Sequence, residues 1–460
     1  MLVHGFTPDN LLESVIMSIP KDSKGTLSDS DNYRGISLCS CFCKVIDHVI
    51  IDLCCSELQT SNLQFAFKKN HSTVMCTSIL KDVAADYMSC GSNVYSCLLD
   101  ASKAFDKMHF GKMFKLLLKR SMSSNVLRLL LDMYLRQKVR ARWKTEVSAA
   151  FGVANGVRQG GVLSPLLFSI YMDELVRRLR EKGIGCYAGS HYAGALVYAD
   201  DVTLLSPSRS GLQDMLDVCA EFGKEYKIAY NEGKTKCIIF CKHQFECPKM
   251  VLNNVELQWY NKVKHLGNYI TYNLSDGADI QYKRCDFIYS LNKLCANFAT
   301  LSSTTLNVLF SNYCCSFYGS QSWNMYNMDI DSVASMYNKG IRRVWHLPNT
   351  AHKSIVFTLS GHQPFRNMHV HRFLRFYSKL ISVDNIVVNY VAQRAQENCS
   401  GFIGANLKYV AAHKNITYSV QSNVIELLLE LVLCRENFLH LYGFSYDMVQ
   451  DMICTISTSA

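Results

Sequence analysis

No run of apolar residues in this chain reaches the roughly 18 to 20 uninterrupted positions that a membrane helix needs, so a soluble protein is expected. An export leader is also missing: Met1–Pro20 has no basic start followed by a long apolar core and a small-residue cleavage site. The 20 cysteines therefore read as thiols of an intracellular, reduced protein. None stands in paired C-x-x-C spacing. Cys39-Ser-Cys41-Phe-Cys43 and Cys54-Cys55 sit in an apolar, helix-like segment and read as buried core thiols rather than zinc ligands. His369-Val-His371, with His352 and His362 nearby, lacks a second Cys or His pair at ligand spacing and gets the same reading. No internal repeat is present, and no clear basic import run.

What is there is globular. The chain has 460 residues, of which 49% are apolar and 19% charged, enough for two or three subdomains with a sizeable core. Lys and Arg exceed Asp and Glu by 48 to 38, a formal net charge of +10 that favours a polyanionic partner.

The most informative stretch is Ala195-Leu-Val-Tyr-Ala-Asp200-Asp201-Val-Thr-Leu-Leu205, which predicts a β-hairpin with an acidic tip. Adjacent carboxylates repel, so such a pair suits either a solvated turn or a hard cation such as Mg²⁺. A second carboxylate of interest, Asp100, follows the strand-like Asn93–Leu99. Alone it reads equally as a cap for the helix that Ala101-Ser-Lys-Ala-Phe105-Asp106 begins. If the two strands are neighbours in one sheet, Asp100, Asp200 and Asp201 converge on a metal site.

Elsewhere, Ser18-Ile-Pro20-Lys21 is extended. A helix is expected from about Ser40 to Glu57, with Ile46, Val49, Ile50 and Leu53 on its buried face. Lys21, Lys24 and Arg34 are phosphate-binding candidates or ordinary surface charges. A basic strand-like piece, Lys138–Lys144, precedes Gly156-Val-Arg158-Gln159-Gly160-Gly161, whose glycines let backbone approach a ligand closely. That loop opens a helix with Ser164 as N-cap, Pro165 at the first position and Gly183 as the stop. Ser210-Gly-Leu-Gln213 reads as a capping box for the next helix. Asn231–Lys236 then leads into the strand Cys237–Phe240. Towards the end, Lys339–His346 and Met368–Tyr377 interleave cations with aromatics, a pattern that suits nucleic acid or any amphipathic helix with snorkelling side chains.

Taken in order, Tyr33-Arg-Gly-Ile-Ser-Leu38, Asp100-Ala-Ser-Lys-Ala-Phe-Asp106, Gly156-Val-Arg-Gln-Gly-Gly-Val-Leu-Ser-Pro165, Tyr198-Ala-Asp-Asp201 and Lys234-Thr-Lys236 resemble the motifs of reverse transcriptases. The non-LTR (LINE-type) retrotransposon polymerases are most similar, through Gln64-Phe-Ala-Phe-Lys-Lys-Asn-His-Ser-Thr73 and Leu266-Gly267 as well. The resemblance implies an α+β, right-hand polymerase: fingers and palm over residues 1–240, with an antiparallel sheet backed by helices, a palm-to-thumb transition over 241–280, a helical thumb-like region over 281–395, and a tail of unread role over 396–460. It implies RNA-directed DNA polymerisation from an RNA template, a DNA primer and dNTPs by a two-metal mechanism. Two Mg²⁺, with Mn²⁺ as a substitute, would be held by Asp100, Asp200 and Asp201. By the same resemblance Arg34 contacts the triphosphate, Phe105 excludes a ribose 2′-hydroxyl, Gln159 and Gly160 line the nucleotide pocket, and Lys234 lies near the leaving pyrophosphate, with Lys236 the neighbour it is confused with. Gly35 and Ala66 depart mildly from the usual pattern. Complete elements of this type carry an upstream endonuclease for which no room is seen here, so a fragment is expected. A catalytically inactive RNA-binding remnant is the alternative.

Overall fold

The computed structural model describes residues 1–413 apart from 23–24, 103, 243–246 and 399–400. Lys24 and residues 414–460 of the expected tail lie outside the described residues. The class is α+β, with antiparallel sheet backed by helices, as expected. The described chain divides into two units, Met1–Cys76 with Tyr87–Asn261, and Thr77–Asp86 with the residues from Lys262 onward. Among the described residues no helix is long and apolar enough to cross a membrane.

The first unit is built on two sheets. Near-continuous apolar runs make strands that are buried on both faces. Here Val94–Leu99 pairs antiparallel with both Asp201–Ser206 and Lys236–Phe240, and Asp201–Ser206 pairs antiparallel with Ala195–Tyr198. A short strand, Gln258–Trp259, adds to Lys236–Phe240 in parallel. Helices Ser164–Lys182 and Arg209–Tyr226 cover this sheet. The second sheet runs Tyr33–Leu38, Glu13–Pro20, Lys138–Trp143, Glu146–Val147.

The second unit is helical over Gly277–Asn297, Ser303–Tyr313, Asp329–Val344 and the helices that follow. Its core is aromatic: Phe287 stacks on Phe317 with centroids 5.3 Å apart, and Tyr337 packs against Phe287, Phe310 and Phe365. Of the cation-and-aromatic stretches noted above, Ile341, Val344, Trp345 and Met368 pack into this core, while Lys339, Arg343 and Arg375 are exposed. Phe373, Phe376 and Tyr377 are buried. The Arg372 guanidinium donates to the carbonyls of Cys315 and Ser316, each at 2.6 Å, and Arg342 donates to the Ala351 carbonyl. His369 is buried with Nε2 bonded to the Ser320 carbonyl at 2.7 Å, and burial holds its pKa down at about 4.

Three local expectations are corrected. The helix expected at Ser40–Glu57 runs Cys41–Leu53 with Ser40 as cap, and its inner face is Cys43, Asp47, Ile50 and the following Cys54. Val49 and Leu53 face solvent at 39% and 61% exposure. A 100° step puts residues two apart on opposite faces, so Cys43 and Cys54 are core thiols but Cys41 and Cys55 are exposed. Ser164 does not cap the helix Ser164–Lys182; the N-cap is Leu163, and a distant carboxylate serves its orphan donors. Asp47 Oδ2 accepts from the Val162 and Leu163 N–H groups at 3.1 and 3.2 Å. Burial pushes the Asp47 carboxyl up, and these two bonds with the nearby Arg158 charge pull it back. Finally, Ser208 rather than Ser210 caps Arg209–Tyr226, accepting from Gly211 N–H at 3.1 Å. Gln213 is unavailable for a capping box because its amide pairs with both backbone groups of Val251.

Asp47→Ala removes the acceptor from two helix-start donors and is expected to cost about 1 to 2 kcal/mol. The readout is faster amide exchange at Val162 and Leu163. Asp47→Asn keeps one acceptor oxygen and should lose only a fraction of that; unchanged exchange in Asp47→Ala would sink the capping assignment.

Candidate active site

The hairpin forms as the sequence predicts, with a two-residue turn. Tyr198 pairs with Asp201, leaving Ala199 and Asp200 as the tip. Ala199 has φ +59°, and only the first tip residue is left-handed, the sign pattern of a type II′ turn in which glycine is the usual choice. An alanine there sits in a region that L-residues occupy at a cost.

The ladder brings the third carboxylate in. Val202 pairs with Leu99, so the next position outward sets Asp201 opposite Asp100. Asp100 is fixed through its backbone: its N–H donates to Thr235 Oγ1 at 3.3 Å and its carbonyl accepts from Asn231 N–H at 2.8 Å. The neighbouring charges act on the two tip carboxylates. Burial raises the Asp200 pKa and Asp100 adds to the rise, while a bond from its own backbone N–H and the Arg34 charge lower it. Asp201 is pushed up to about 6, by burial first and then by Asp200 and Asp100.

Oxygen-only donors under mutual repulsion suit a hard cation. Among the described residues no group of three or more His, Cys, Asp or Glu forms a ready-made metal cage.

Arg34 is exposed on Tyr33–Leu38, from where its charge acts on Asp200. Phe105, in the short helix Ala104–Lys107, stacks on Phe168 with centroids 4.0 Å apart and meets the edge of Phe67. The glycine-rich loop ties these pieces together. Val157 N–H donates to the Phe105 carbonyl at 2.9 Å, Gln159 Nε2 donates to Asp106 Oδ1 at 2.7 Å, and the Gln159 carbonyl accepts from Ser37 N–H at 2.6 Å. Two glycines are obligatory. Gly156 has φ +88° and a Cβ there would stand 2.7 Å from the Asp106 carbonyl; Gly160 has φ +114° and its Cβ would stand 2.8 Å from the Ser37 carbonyl. Arg158 is an internal brace, bonded to Gln137 and to the Met133 carbonyl.

Lys234 is exposed in the turn before Lys236–Phe240, its N–H bonded to Asn231 Oδ1 at 3.1 Å. The Lys236 ammonium lies over the Tyr260 ring at 5.5 Å. Lys21 is exposed and pairs through its backbone with Asn32. Asp100, Asp200, Asp201 and Arg34 are thus brought together, and Phe105, Gln159 and Gly160 form one connected wall.

Sequence reading assigned no role to three side chains at the site: Thr235, Asp106 and Gln64. Gln64 is wholly buried, and its Oε1 accepts from Ala199 N–H at 3.2 Å. The available signal was a polar residue between the apolar Leu63 and Phe65.

The family model described as "Reverse transcriptase (RNA-dependent DNA polymerase)" matches residues 19–270. Among curated proteins, the chain is 30% identical over 216 residues to the Pol polyprotein of the type-1 retrotransposable element R2 of Nasonia vitripennis, covering 47% of this chain and 21% of that protein. It is 26% identical over 274 residues to the RNA-directed DNA polymerase of the mobile element jockey of Drosophila funebris, covering 57% of this chain and 29% of that protein. The chain therefore spans less than a third of the length of these two relatives. A solved structure of apo telomerase from Candida tropicalis matches at 11% identity with a TM-score of 0.43, over 92% of this chain and 69% of that one.

The raised Asp201 pKa has a stability consequence. Its carboxyl holds a proton more tightly folded than unfolded, so the stabilisation is complete below about pH 4 and is lost as pH rises through about 6. In metal-free buffer, Asp201→Asn is therefore expected to stabilise the protein, by about 1 kcal/mol more at pH 8 than at pH 4.5 after allowance for solvent screening. Denaturant unfolding with a chelator present tests it; a destabilised variant at pH 8 would contradict the charge balance described here.

Proposed function

Because the chain belongs to the reverse transcriptase (RNA-dependent DNA polymerase) family, we propose that it extends a DNA primer with deoxynucleotides on an RNA template, as a right-hand polymerase from a non-LTR retrotransposon-type reading frame. The observation that supports this reading most is the meeting of Asp100, Asp200 and Asp201 at the end of one sheet, beside Arg34. In this reading residues 1–240 supply fingers and palm, 241–280 the transition and 281–395 a thumb.

The three aspartates would hold two Mg²⁺, and bound metal supplies a deprotonated primer 3′-hydroxyl and neutralises charge on the departing pyrophosphate. The chain's own groups do the rest. Arg34 meets the triphosphate and offsets its charge as the nucleotide enters among the carboxylates. Gln159 and Gly160 form the floor under the base pair, because the bond to Ser37 and the missing Cβ keep the loop against the strand Tyr33–Leu38. Phe105 cannot swing away from the sugar without losing its stack on the buried Phe168, so it stands as a rigid wall against a 2′-hydroxyl. Lys234, exposed at the far turn, is the candidate for the pyrophosphate. The basic balance of the chain suits RNA and primer strands, and binding to them is expected to weaken steeply with salt.

Primer extension on an RNA template with dNTPs and Mg²⁺ tests the reading. Wild type is expected to extend the primer and Asp200→Ala to lose at least about a hundredfold in rate while still binding RNA; activity retained in Asp200→Ala, or no extension by either protein with RNA binding intact, rejects it. Phe105→Ala should raise use of ribonucleotides relative to deoxynucleotides at least about tenfold, read as the ratio of kcat/KM values. An unchanged ratio would remove Phe105 from the sugar site.

A further inference from the structure

Gln64 is a polar side chain with 0% exposure placed directly behind the acidic turn. Its backbone is stitched to the hairpin: Phe65 N–H donates to the Val197 carbonyl at 2.8 Å, and Val197 N–H donates to the Leu63 carbonyl at 2.9 Å. The segment thereby lies along the edge strand Ala195–Tyr198, with Gln64 and Val197 forming a parallel bridge. From that fixed base Oε1 accepts two backbone donors at 3.2 Å, Ala66 N–H and Ala199 N–H. Ala199 is the left-handed residue of the turn and is itself 7% exposed, so no open solvent stands ready to replace the bond.

Two unfavourable features meet at this turn. An alanine holds a backbone conformation that glycine would adopt freely, and the next two residues are carboxylates repelling each other and Asp100. Both push the tip to open. A hydrogen bond to the N–H of the strained residue opposes both, because relaxing the Ala199 backbone swings that N–H away from a side chain that cannot follow. We propose that Gln64 is a positioning residue: through Ala199 it holds the carboxylates of Asp200 and Asp201 at the spacing that lets them share divalent cations. It touches neither substrate nor metal. The inference rests on the reading of the aspartates as metal ligands.

The test compares wild type, Gln64→Met, Ala199→Gly and the double variant, all as the full chain. Mn²⁺ binding is followed by the loss of free-ion signal in electron paramagnetic resonance, and primer extension is measured alongside. Gln64→Met keeps the volume and loses the acceptor. It is expected to weaken Mn²⁺ binding about tenfold and to lower kcat with little change in KM for dNTP. Adding Ala199→Gly should recover most of the loss, because glycine needs no bond to stay left-handed; a side chain important only for packing would show no such recovery. If Gln64→Met does not fold, Gln64→Asn retains an amide of shorter reach and should show the same loss and the same recovery. Mn²⁺ affinity within twofold of wild type, or no recovery in the double variant, overturns the role of Gln64. If instead Asp200→Ala binds Mn²⁺ as well as wild type does, the metal reading of the aspartates has failed and the inference falls with it.

Discussion

Like charges held together against their own repulsion are what the rest of this protein's first unit has to support. Asp100 comes from a segment 100 residues before Asp200 and Asp201; its charge opposes the ionisation of Asp200, and the charges of Asp100 and Asp200 oppose that of Asp201. Water would separate them if the backbone allowed it. The backbone does not, because Asp100 ends a central strand paired on both sides and Asp201 begins its neighbour. Every pair in that ladder would have to slip for the carboxylates to part, and because Val202, Thr203, Leu204 and Leu205 are all buried, a slip of one residue would force both faces of the strand to repack. The apolar core of the sheet therefore supplies the energy that keeps the acidic end assembled.

The glycine-rich loop solves a second problem, which is how to place a wall beside that charge without adding to it. It brings backbone and one amide, and its Val157 N–H ties it to the segment that carries the Phe105 ring. Its own stiffness comes from outside: Ser37 on one side, Asp106 and the Phe105 carbonyl on the other, and Asp47 under the helix that follows. The loop is tied to the second sheet by the Ser37 bond and to the helix after that strand by the two Asp47 bonds. A shift of Tyr33–Leu38 would move Arg34 and the loop as one piece.

How much of this was readable in the chain follows from where the information resides. The hairpin, the strand before Asp100 and the helix stopped by Gly183 were readable because pattern and turn chemistry agree locally at Ala195–Leu205, Val94–Leu99 and Ser164–Lys182. The three capping and phasing errors share one cause, a long-range partner. Cys41–Leu53 carries two apolar stripes, and the choice between them is made by Asp47, buried because two N–H groups 115 and 116 residues away need it. Ser210 loses its capping box because Gln213 is taken by Val251. Gln64 escaped for the same reason: its partner is 135 residues distant. Local propensity has nothing to say about such bonds.

The position of the cations sharpens the functional reading. In the second unit two of the arginines that alternate with aromatics are consumed internally, Arg372 and Arg342 by backbone carbonyls, while Lys339, Arg343 and Arg375 stay exposed. The second sheet of the first unit behaves differently. Register sets Arg34 beside Ile19, and Arg142, Arg140 and Lys138 beside Met17, Val15 and Glu13. Paired positions share a face, and Ile19, Met17, Val15 and Glu13 alternate along one strand, so all four cations stand on one side of the sheet. Glu13 answers Arg140 alone. The face from which Arg34 acts on Asp200 is therefore positive along its width, and a polyanion drawn to it would arrive with its charge already directed at the carboxylates. In the proposed reading a divalent cation would reconcile the two, attracted by the aspartates and tolerated beside arginine when phosphate lies between them.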